Sequence, residues 1–248
     1  MRLPIRFAAC SAALLSAAFV RPAALRAQSD DDRYTAPRNA TVDARGASAV
    51  RIHAEAGILR VEGKRGLGEV RVRGTARASR ERDLEDIQLI AERHGNVVEV
   101  RAEIPEHRVG IVLHDNYRGL DLVLEVPDDI ALDVEDGSGD LEIRGVGDIE
   151  LRDGSGDIEL TDVGSVRVED GSGELKIRNV RGDVTISDGS GRIDVRTVSG
   201  TVTVRTDGSG SIDVSDVGGD FVVGRDGSGG IAHTQVRGDV RIPRRKRG

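Results

Sequence analysis

The tetrapeptide Asp-Gly-Ser-Gly occurs six times in this 248-residue chain, and its near-constant spacing is the feature that most constrains the fold. The copies begin at Asp136, Asp153, Asp170, Asp188, Asp207 and Asp226, so successive copies start 17, 17, 18, 19 and 19 residues apart. A unit of this length cannot bury a core of its own, so each copy must pack its apolar face on its neighbours. Residues 128–243 are therefore predicted to form a stack of repeats.

Aliphatic residues recur at fixed distances after each tetrapeptide. The first set lies two residues after the second glycine: Leu141, Ile158, Leu175, Ile193, Ile212 and Ile231. The second set follows two residues later, with one histidine in the last copy: Ile143, Leu160, Ile177, Val195, Val214 and His233. A valine always follows three residues further on: Val146, Val163, Val180, Val198, Val217 and Val236. A spacing of two is the period of a β-strand.

Each repeat is thus predicted to contain two short strands and two tight corners, which together make one coil. The fold class is all-β, a parallel β-solenoid (β-helix) wound from a single chain in coils of 17–19 residues. Coils of this kind stack at roughly 4.8 Å, so equivalent residues form columns. The scarcity of aromatic residues, 2% of the chain, fits a narrow interior filled by Val, Ile and Leu.

The corner motif has a mechanical and a functional interpretation. Glycine permits a sharp reversal, and we expect the Asp side chains to accept hydrogen bonds from corner amides. The alternative is calcium, because Asp136, Asp153, Asp170, Asp188, Asp207 and Asp226 would stack as carboxylates, which hard cations bind. The residue after the motif drifts, however, through Asp140, Asp157, Glu174, Arg192, Ser211 and Gly230. This drift favours the mechanical interpretation, with no cofactor and no metal.

The segments before and after the repeats have distinct compositions. Residues 1–27 combine early arginines with a short apolar run and small residues, which predicts a secretory signal peptide and no membrane span in the mature chain. An acylated Cys10 is the less favoured alternative. Polar residues 28–47 are expected to be a flexible linker, and the basic residues 244–248 a solvated tail.

Residues 48–127 are rich in strand patterns without the tetrapeptide and are predicted to be an N-terminal cap on the first coil. Within this region we expect a hairpin around His94-Gly95-Asn96, a short helix over 79–85 and a loop over 105–119.

The charge balance excludes one class of partner. Removal of residues 1–27, which hold four arginines and no acidic residue, would leave 32 basic and 43 acidic residues, a net charge of −11. An acidic surface argues against nucleic-acid binding. The five histidines, His53, His94, His107, His114 and His233, show no metal-ligand spacing, and we expect His233 to serve as a cap on the last coil.

The repeat resembles the bacterial family of putative adhesins. The resemblance rests on Gly-Ser-Gly followed by a polar residue and aliphatic-x-aliphatic, and on Val-x-Gly-Asp-Val-x-Ile; the stretch from Val180 to Gly191 matches best. It covers residues 48–243 and is strongest from 132 onward. It implies an exported or membrane-associated β-helix, and it supplies no catalytic motif.

Taken together, the sequence predicts an exported, non-catalytic module at the cell surface or in the periplasm. Its expected partner is a polymer or protein of the cell envelope or the extracellular space. The alternatives are a calcium-binding repeat protein and a β-helix enzyme acting on polysaccharide. The enzyme is disfavoured because such sites gather acids at a break in the repeat and use aromatic platforms for sugar rings.

Overall fold

The computed structural model describes residues 34–105 and 117–243, which form twenty β-strands and one short 3-10 helix, Glu81–Leu84. The strands are, in chain order, β1 (Tyr34–Asp43), β2 (Ala49–His53), β3 (Leu59–Lys64), β4 (Glu69–Ala78), β5 (Gln88–His94), β6 (Val97–Glu103), β7 (Arg118–Pro127), β8 (Ala131–Asp136), β9 (Leu141–Arg144), β10 (Ile149–Asp153), β11 (Ile158–Val163), β12 (Val166–Asp170), β13 (Gly173–Val180), β14 (Val184–Asp188), β15 (Gly191–Val198), β16 (Val202–Asp207), β17 (Gly210–Val217), β18 (Phe221–Asp226), β19 (Ile231–Val236) and β20 (Val240–Arg241).

The strands belong to two ten-stranded sheets that face each other across the core. Sheet A has the order β1-β4-β7-β3-β9-β11-β13-β15-β17-β19, and sheet B the order β20-β18-β16-β14-β12-β10-β8-β2-β6-β5. From β8 onward the chain alternates between the sheets, and every neighbouring pair within a sheet is parallel. The predicted parallel β-solenoid is confirmed.

The columns predicted from the repeat appear in the register of the strands. Ile158 pairs with Leu141 in the coil before it and with Leu175 in the coil after it. All three predicted aliphatic columns are buried through the coil that contains Val217. Ile231 and Val236 are only half-buried, because no described coil follows theirs. Full burial of one such side chain contributes about 1.5–3 kcal/mol, so the stacked columns are the main source of stability.

A bulge in sheet A produces the three-residue spacing between the second aliphatic residue of each repeat and the valine that recurs after it. The residue just before that valine has a left-handed backbone conformation in five coils: Asp162, Asn179, Thr197, Asp216 and Gln235, with φ between 55° and 58°. In the coil before them this position is Gly145, with φ 68°. One left-handed residue absorbs the extra position, so the valine points inward even though the strand period is two. Among these five residues only Thr197 is β-branched, and a β-branched side chain is strained in the left-handed conformation.

The second glycine of each tetrapeptide is required by both backbone angle and space. Gly173 has φ 144°, and a Cβ at this position would overlap the carbonyl oxygen of Gly156 in the neighbouring coil. Adjacent coils thus approach backbone to backbone at this corner, which any side chain would prevent.

The region predicted to be a cap divides into two parts. Strands β2 and β3 are a coil of the solenoid itself: β2 pairs in parallel with β8, and β3 pairs in parallel with β9. Strands β6 and β7 pair in parallel with the outer edges of β2 and β3. The stack therefore begins before residue 128, with two coils that lack the tetrapeptide, and the prediction that all of 48–127 covers the first repeat coil was wrong for these strands.

Antiparallel strands close this end of the stack. Strand β5 pairs with β6 through the hairpin expected around His94-Gly95-Asn96, and β4 pairs with β7. Strand β1 pairs with β4 along its full length, from Tyr34–Ala78 to Asp43–Glu69. The expected linker over 28–47 is therefore wrong for residues 34–43, which are ordered by this pairing. The helix expected over 79–85 is a single 3-10 turn.

Candidate functional site

The six aspartates of the tetrapeptides form one column, called here the aspartate column. Each is the last residue of a sheet-B strand, and the register aligns Asp136 with Asp153, Asp153 with Asp170, and so on to Asp226. Five of the side chains face the interior and are only 2–7% exposed, whereas Asp226 is half-buried. The aspartate continues the two-residue alternation of buried positions in its strand, as Asp153 does after Ile149 and Leu151, which is why a charged residue type lies inside the solenoid.

The carboxylates receive fewer hydrogen bonds than the sequence predicted. Oδ1 of Asp136 accepts from the Gly137 amide at 3.0 Å, and Oδ1 of Asp170 accepts from the Ser172 amide at 3.1 Å. Both carboxylate oxygens of Asp153, Asp188 and Asp207 are buried without a hydrogen-bond partner in the described part of the chain. The expectation that every aspartate accepts corner amides was therefore wrong for Asp207. Weaker contacts with corner amides still lower the pKa of Asp153, through Gly154, and that of Asp188, through Ser190 and Gly189, against the larger effect of burial.

Most of the glycine amides at these corners join the coils to each other. The Gly154 amide donates to the backbone carbonyl of Asp136 at 3.1 Å, and the Gly171 amide to that of Asp153 at 3.0 Å. At the other side of the corner, the Gly156 amide donates to the Ser172 carbonyl at 3.0 Å. Coil-to-coil backbone bonding thus uses the glycine amides and leaves the serine amide, two residues after each aspartate, as the donor of an Asx-type turn, as the Ser172 amide is for Asp170.

Burial and mutual repulsion favour the protonated form of these side chains. Burial raises the pKa of Asp153 to about 7, and the neighbouring charge of Asp136 adds to the rise. Burial is also the main reason why the pKa of the other four buried members, Asp136, Asp170, Asp188 and Asp207, is raised to about 6. Two full charges at the spacing of one coil repel by about 3 kcal/mol at an effective dielectric constant of 20.

The column does not assemble the ligand set of a metal site. Among residues 34–105 and 117–243, no three His, Cys, Asp or Glu side chains are grouped so that they could hold a metal ion. A point between two coils meets two carboxylates, whereas calcium takes six to eight oxygen ligands.

A second row of polar side chains, which the sequence analysis missed, joins the coils at the opposite corner. Oδ1 of Asp148 accepts from the Ser165 amide at 2.7 Å, and Oδ1 of Asp183 accepts from the Thr201 amide at 2.8 Å. Asp220 accepts from the Asp239 amide in the same way, at 2.9 Å. The sequence does contain a signal for this row, because the residue just before each of these sheet-B strands is Asp, Ser or Thr. These are structural bonds between consecutive coils.

The outer faces carry charges of both signs that pair between coils. On sheet B, Arg152 contacts Glu135 at 3.4 Å, Glu150 at 2.9 Å and Glu169 at 3.9 Å, and so bridges three coils. On sheet A, Arg178 lies 3.0 Å from Glu159. Within the described ranges the large apolar side chains that are exposed are Val123 and Val240 alone.

A shallow groove of about 490 Å³ runs across sheet B where its strands begin. Its lining comes from five coils, and the polar residues, which four of these coils contribute, are mostly acidic, with Asp133, Asp148, Glu150 and Asp183 around Arg167. Because the lining residues repeat at the coil spacing, the groove presents a periodic row of polar groups.

The three histidines in the described ranges, His53, His94 and His233, lie apart from one another. His53 Nδ1 is 3.0 Å from Glu135 Oε2, His94 lies beside Glu92 and Glu99, and His233 is exposed with its ring centroid 5.9 Å from that of Phe221. His107, His114 and the rest of residues 106–116 lie outside the described residues, as do the proposed signal peptide and the basic tail. No helix in the described ranges is both long and apolar enough to cross a membrane.

These features define a class: a β-solenoid repeat protein with one closed end, an acidic column inside it and paired charges outside. The chain belongs to the Toastrack DUF4097 family, whose model matches residues 68–247. The family resemblance inferred from the corner motif is thereby confirmed. No curated protein matches the chain.

Solved structures similar to this chain include proteins from Clostridium, Bacteroides and Parabacteroides. A putative cell adhesion protein from Clostridium sporogenes ATCC 15579 is 11% identical, with 84% of this chain and 100% of that chain covered and a TM-score of 0.45. A putative adhesin from Bacteroides fragilis NCTC 9343 is 12% identical, with coverage of 84% and 97% and a TM-score of 0.33. A putative lipid binding protein from Parabacteroides distasonis ATCC 8503 is 11% identical, with the same coverage and TM-score.

Proposed function

We propose that this chain is an exported, non-catalytic β-solenoid that serves as an adhesin-like binding or structural module at the cell surface or in the periplasm. The observation that carries the proposal is the outer face of sheet B, where a polar groove continues across five coils. A periodic, open surface of this kind fits an extended ligand better than a small molecule, which binds in an enclosing pocket. The expected ligand class is a polymer or protein of the cell envelope.

The distribution of acidic side chains supports a role without catalysis. The buried carboxyls of the aspartate column cannot reach a substrate, since they are 2–7% exposed. The outer carboxylates of Glu135, Glu150 and Glu159 are held by arginines across the coils. General acid and base groups need a site where a reacting atom can approach both, and neither set of carboxylates provides one.

Binding can be tested by co-sedimentation of the purified chain with isolated peptidoglycan sacculi and with outer-envelope preparations. The groove variant combines Asp133→Asn with Glu150→Gln, and the matched control combines Glu142→Gln with Glu159→Gln on the outer face of sheet A. We expect the groove variant to bind at least roughly threefold more weakly and the control to bind as the unmodified chain does. Equal binding by the two variants would refute the assignment of the groove.

Export is tested separately by expressing the chain in a bacterial host with and without residues 1–27. The full chain should be recovered from the periplasm or the medium and the shortened chain from the cytoplasm. Recovery of both chains from the cytoplasm would contradict export while leaving the binding result intact.

A further inference from the structure

The surroundings of the aspartate column do not stabilise the negative charge that its buried carboxylates would carry. Both oxygens of Asp153, Asp188 and Asp207 are buried without a hydrogen-bond partner in the described part of the chain. The Gly154, Gly189 and Gly208 amides, which directly follow these three aspartates, donate to backbone carbonyls of the adjacent coil. Buried ionised groups need a counter-charge or several donors, so these carboxyls require another source of stabilisation.

The groups that face the column supply no positive charge. Above and below each aspartate are the aspartates of the adjacent coils. Across the corner, the first inward residues of the sheet-A strands are buried aliphatics such as Leu141, Ile158 and Leu175. The charged residues nearest along the chain, such as Glu135 and Asp140, are exposed and lie on the outside. Among the residues that the structure describes, the groups that can share a proton with Asp153, Asp188 or Asp207 are therefore the carboxyls of the adjacent coils.

The two coils before the column show that the corner itself does not demand a carboxylate. Strand register places Ala54 and Ala102 at the position of Asp136, one residue beyond the pairs of His53 with Glu135 and with Arg101. Ala102 is 2% exposed, and Ala54 packs against the core. Alanine therefore fills this position where the stack begins, and the six aspartates that follow add something other than turn geometry.

We propose that the aspartate column is a proton-binding ladder, in which neighbouring carboxyls share protons through O–H···O hydrogen bonds inside the solenoid. A protonated carboxyl donates one hydrogen bond and a carboxylate accepts, so alternate protonation pairs the buried oxygens along the column. It also removes the repulsion between adjacent charges, as in carboxyl pairs that cannot both ionise. The ligand of this site is the proton, and the ladder makes the solenoid more stable in weak acid than at neutral pH.

The direction of the pH effect follows from proton linkage. Burial raises the pKa of the five buried carboxyls to about 6 or 7 in the folded chain, above the value of about 3.9 in an unfolded one. The folded state then binds more protons between these values, so its stability is full below about pH 4 and falls as the pH rises to about 7. Asp43 changes the stability in the opposite direction with pH, because its hydrogen bond with Arg45 lowers its pKa to about 2. Its contribution to stability is lost only as the pH falls below about 4, outside the range in which the aspartate column titrates.

The test is the melting temperature of the full chain between pH 4.5 and pH 7.5 at constant ionic strength with a chelator present. We expect a fall of roughly 5 °C or more as the pH rises. In the double variant Asp170→Asn and Asp188→Asn, the fall should shrink by roughly two fifths, since two of the five buried carboxyls no longer titrate. The matched control, Glu159→Gln with Glu169→Gln on the exposed faces, should keep the full dependence.

A second measurement uses the unmodified chain and so does not depend on how the variants fold. At pH 5.5 the infrared spectrum should contain the C=O band of protonated, buried carboxyl groups, and this band should fade as the pH is raised to 8. A melting temperature that does not change with pH, or the absence of that band, would overturn the ladder. So would calcium, if at pH 7.5 it raised the melting temperature by several degrees and the double variant lost this effect, because the column would then be a metal site.

Discussion

The corner glycines offer the sharpest test of how adjacent coils hold together. In Gly173→Ala, the new methyl group would overlap the carbonyl oxygen of Gly156, and the residue would keep a backbone angle of φ 144°. The backbone angle alone costs about 1–3 kcal/mol for a residue with a side chain. Relief of the overlap must move the two coils apart and weaken the bond from the Gly173 amide to the Ser190 carbonyl, now 3.1 Å long. We expect the free energy of unfolding to fall by at least about 3 kcal/mol.

Two matched variants separate the contributions. Gly95→Ala has a milder backbone strain, with φ 65° in the left-handed region, and nothing within 4 Å of the new methyl group, so it should cost about 1 kcal/mol. Gly230→Ala has open space and no left-handed angle, so its effect should be near zero. Urea unfolding followed by far-ultraviolet circular dichroism measures all three. If Gly173→Ala were no less stable than Gly95→Ala, the close approach of backbones at the corner would not be what holds the coils in place.

Two further predictions concern the columns of sheet A. Thr197→Asn should stabilise the chain by about 1 kcal/mol in thermal unfolding, because asparagine tolerates the left-handed angle of φ 58° better than threonine does. Asn179 already occupies the equivalent position one coil earlier. An unchanged or lower melting temperature would contradict the strain at this bulge. Val198→Asp should destabilise by about 3–5 kcal/mol, since the valine is 2% exposed in an aliphatic core. The exposed substitution Glu159→Gln should change the free energy of unfolding by less than about 0.5 kcal/mol, and equal melting shifts for these last two variants would contradict the assigned faces.

Much of the candidate site could be predicted from the sequence, but not its chemistry. The alignment of the six tetrapeptides placed their aspartates in one column, and the register of Asp153 with Asp136 and Asp170 agrees. The sequence does not show that the Gly154 and Gly171 amides are already bonded to backbone carbonyls of the neighbouring coil. Local turn chemistry predicts an Asx-type acceptor, as Asp170 is for the Ser172 amide, whereas the coil-to-coil bonds of the glycine amides exist only in the stacked structure.

The repeat by itself determined the solenoid, because units of 17–19 residues with three recurring inward aliphatic positions can bury them only against copies of themselves. It also determined the direction of the strands, since the same corner returns once in every coil. Only the tertiary structure decided where the stack begins and how it is closed. Strand β2 joins β8 across 82 residues, as the hydrogen bond from Arg51 to Asp133 shows. A period of two identifies a strand but not its partner, and pairing over such a distance is decided by which exposed edge and apolar face remain to be covered once the repeats have stacked.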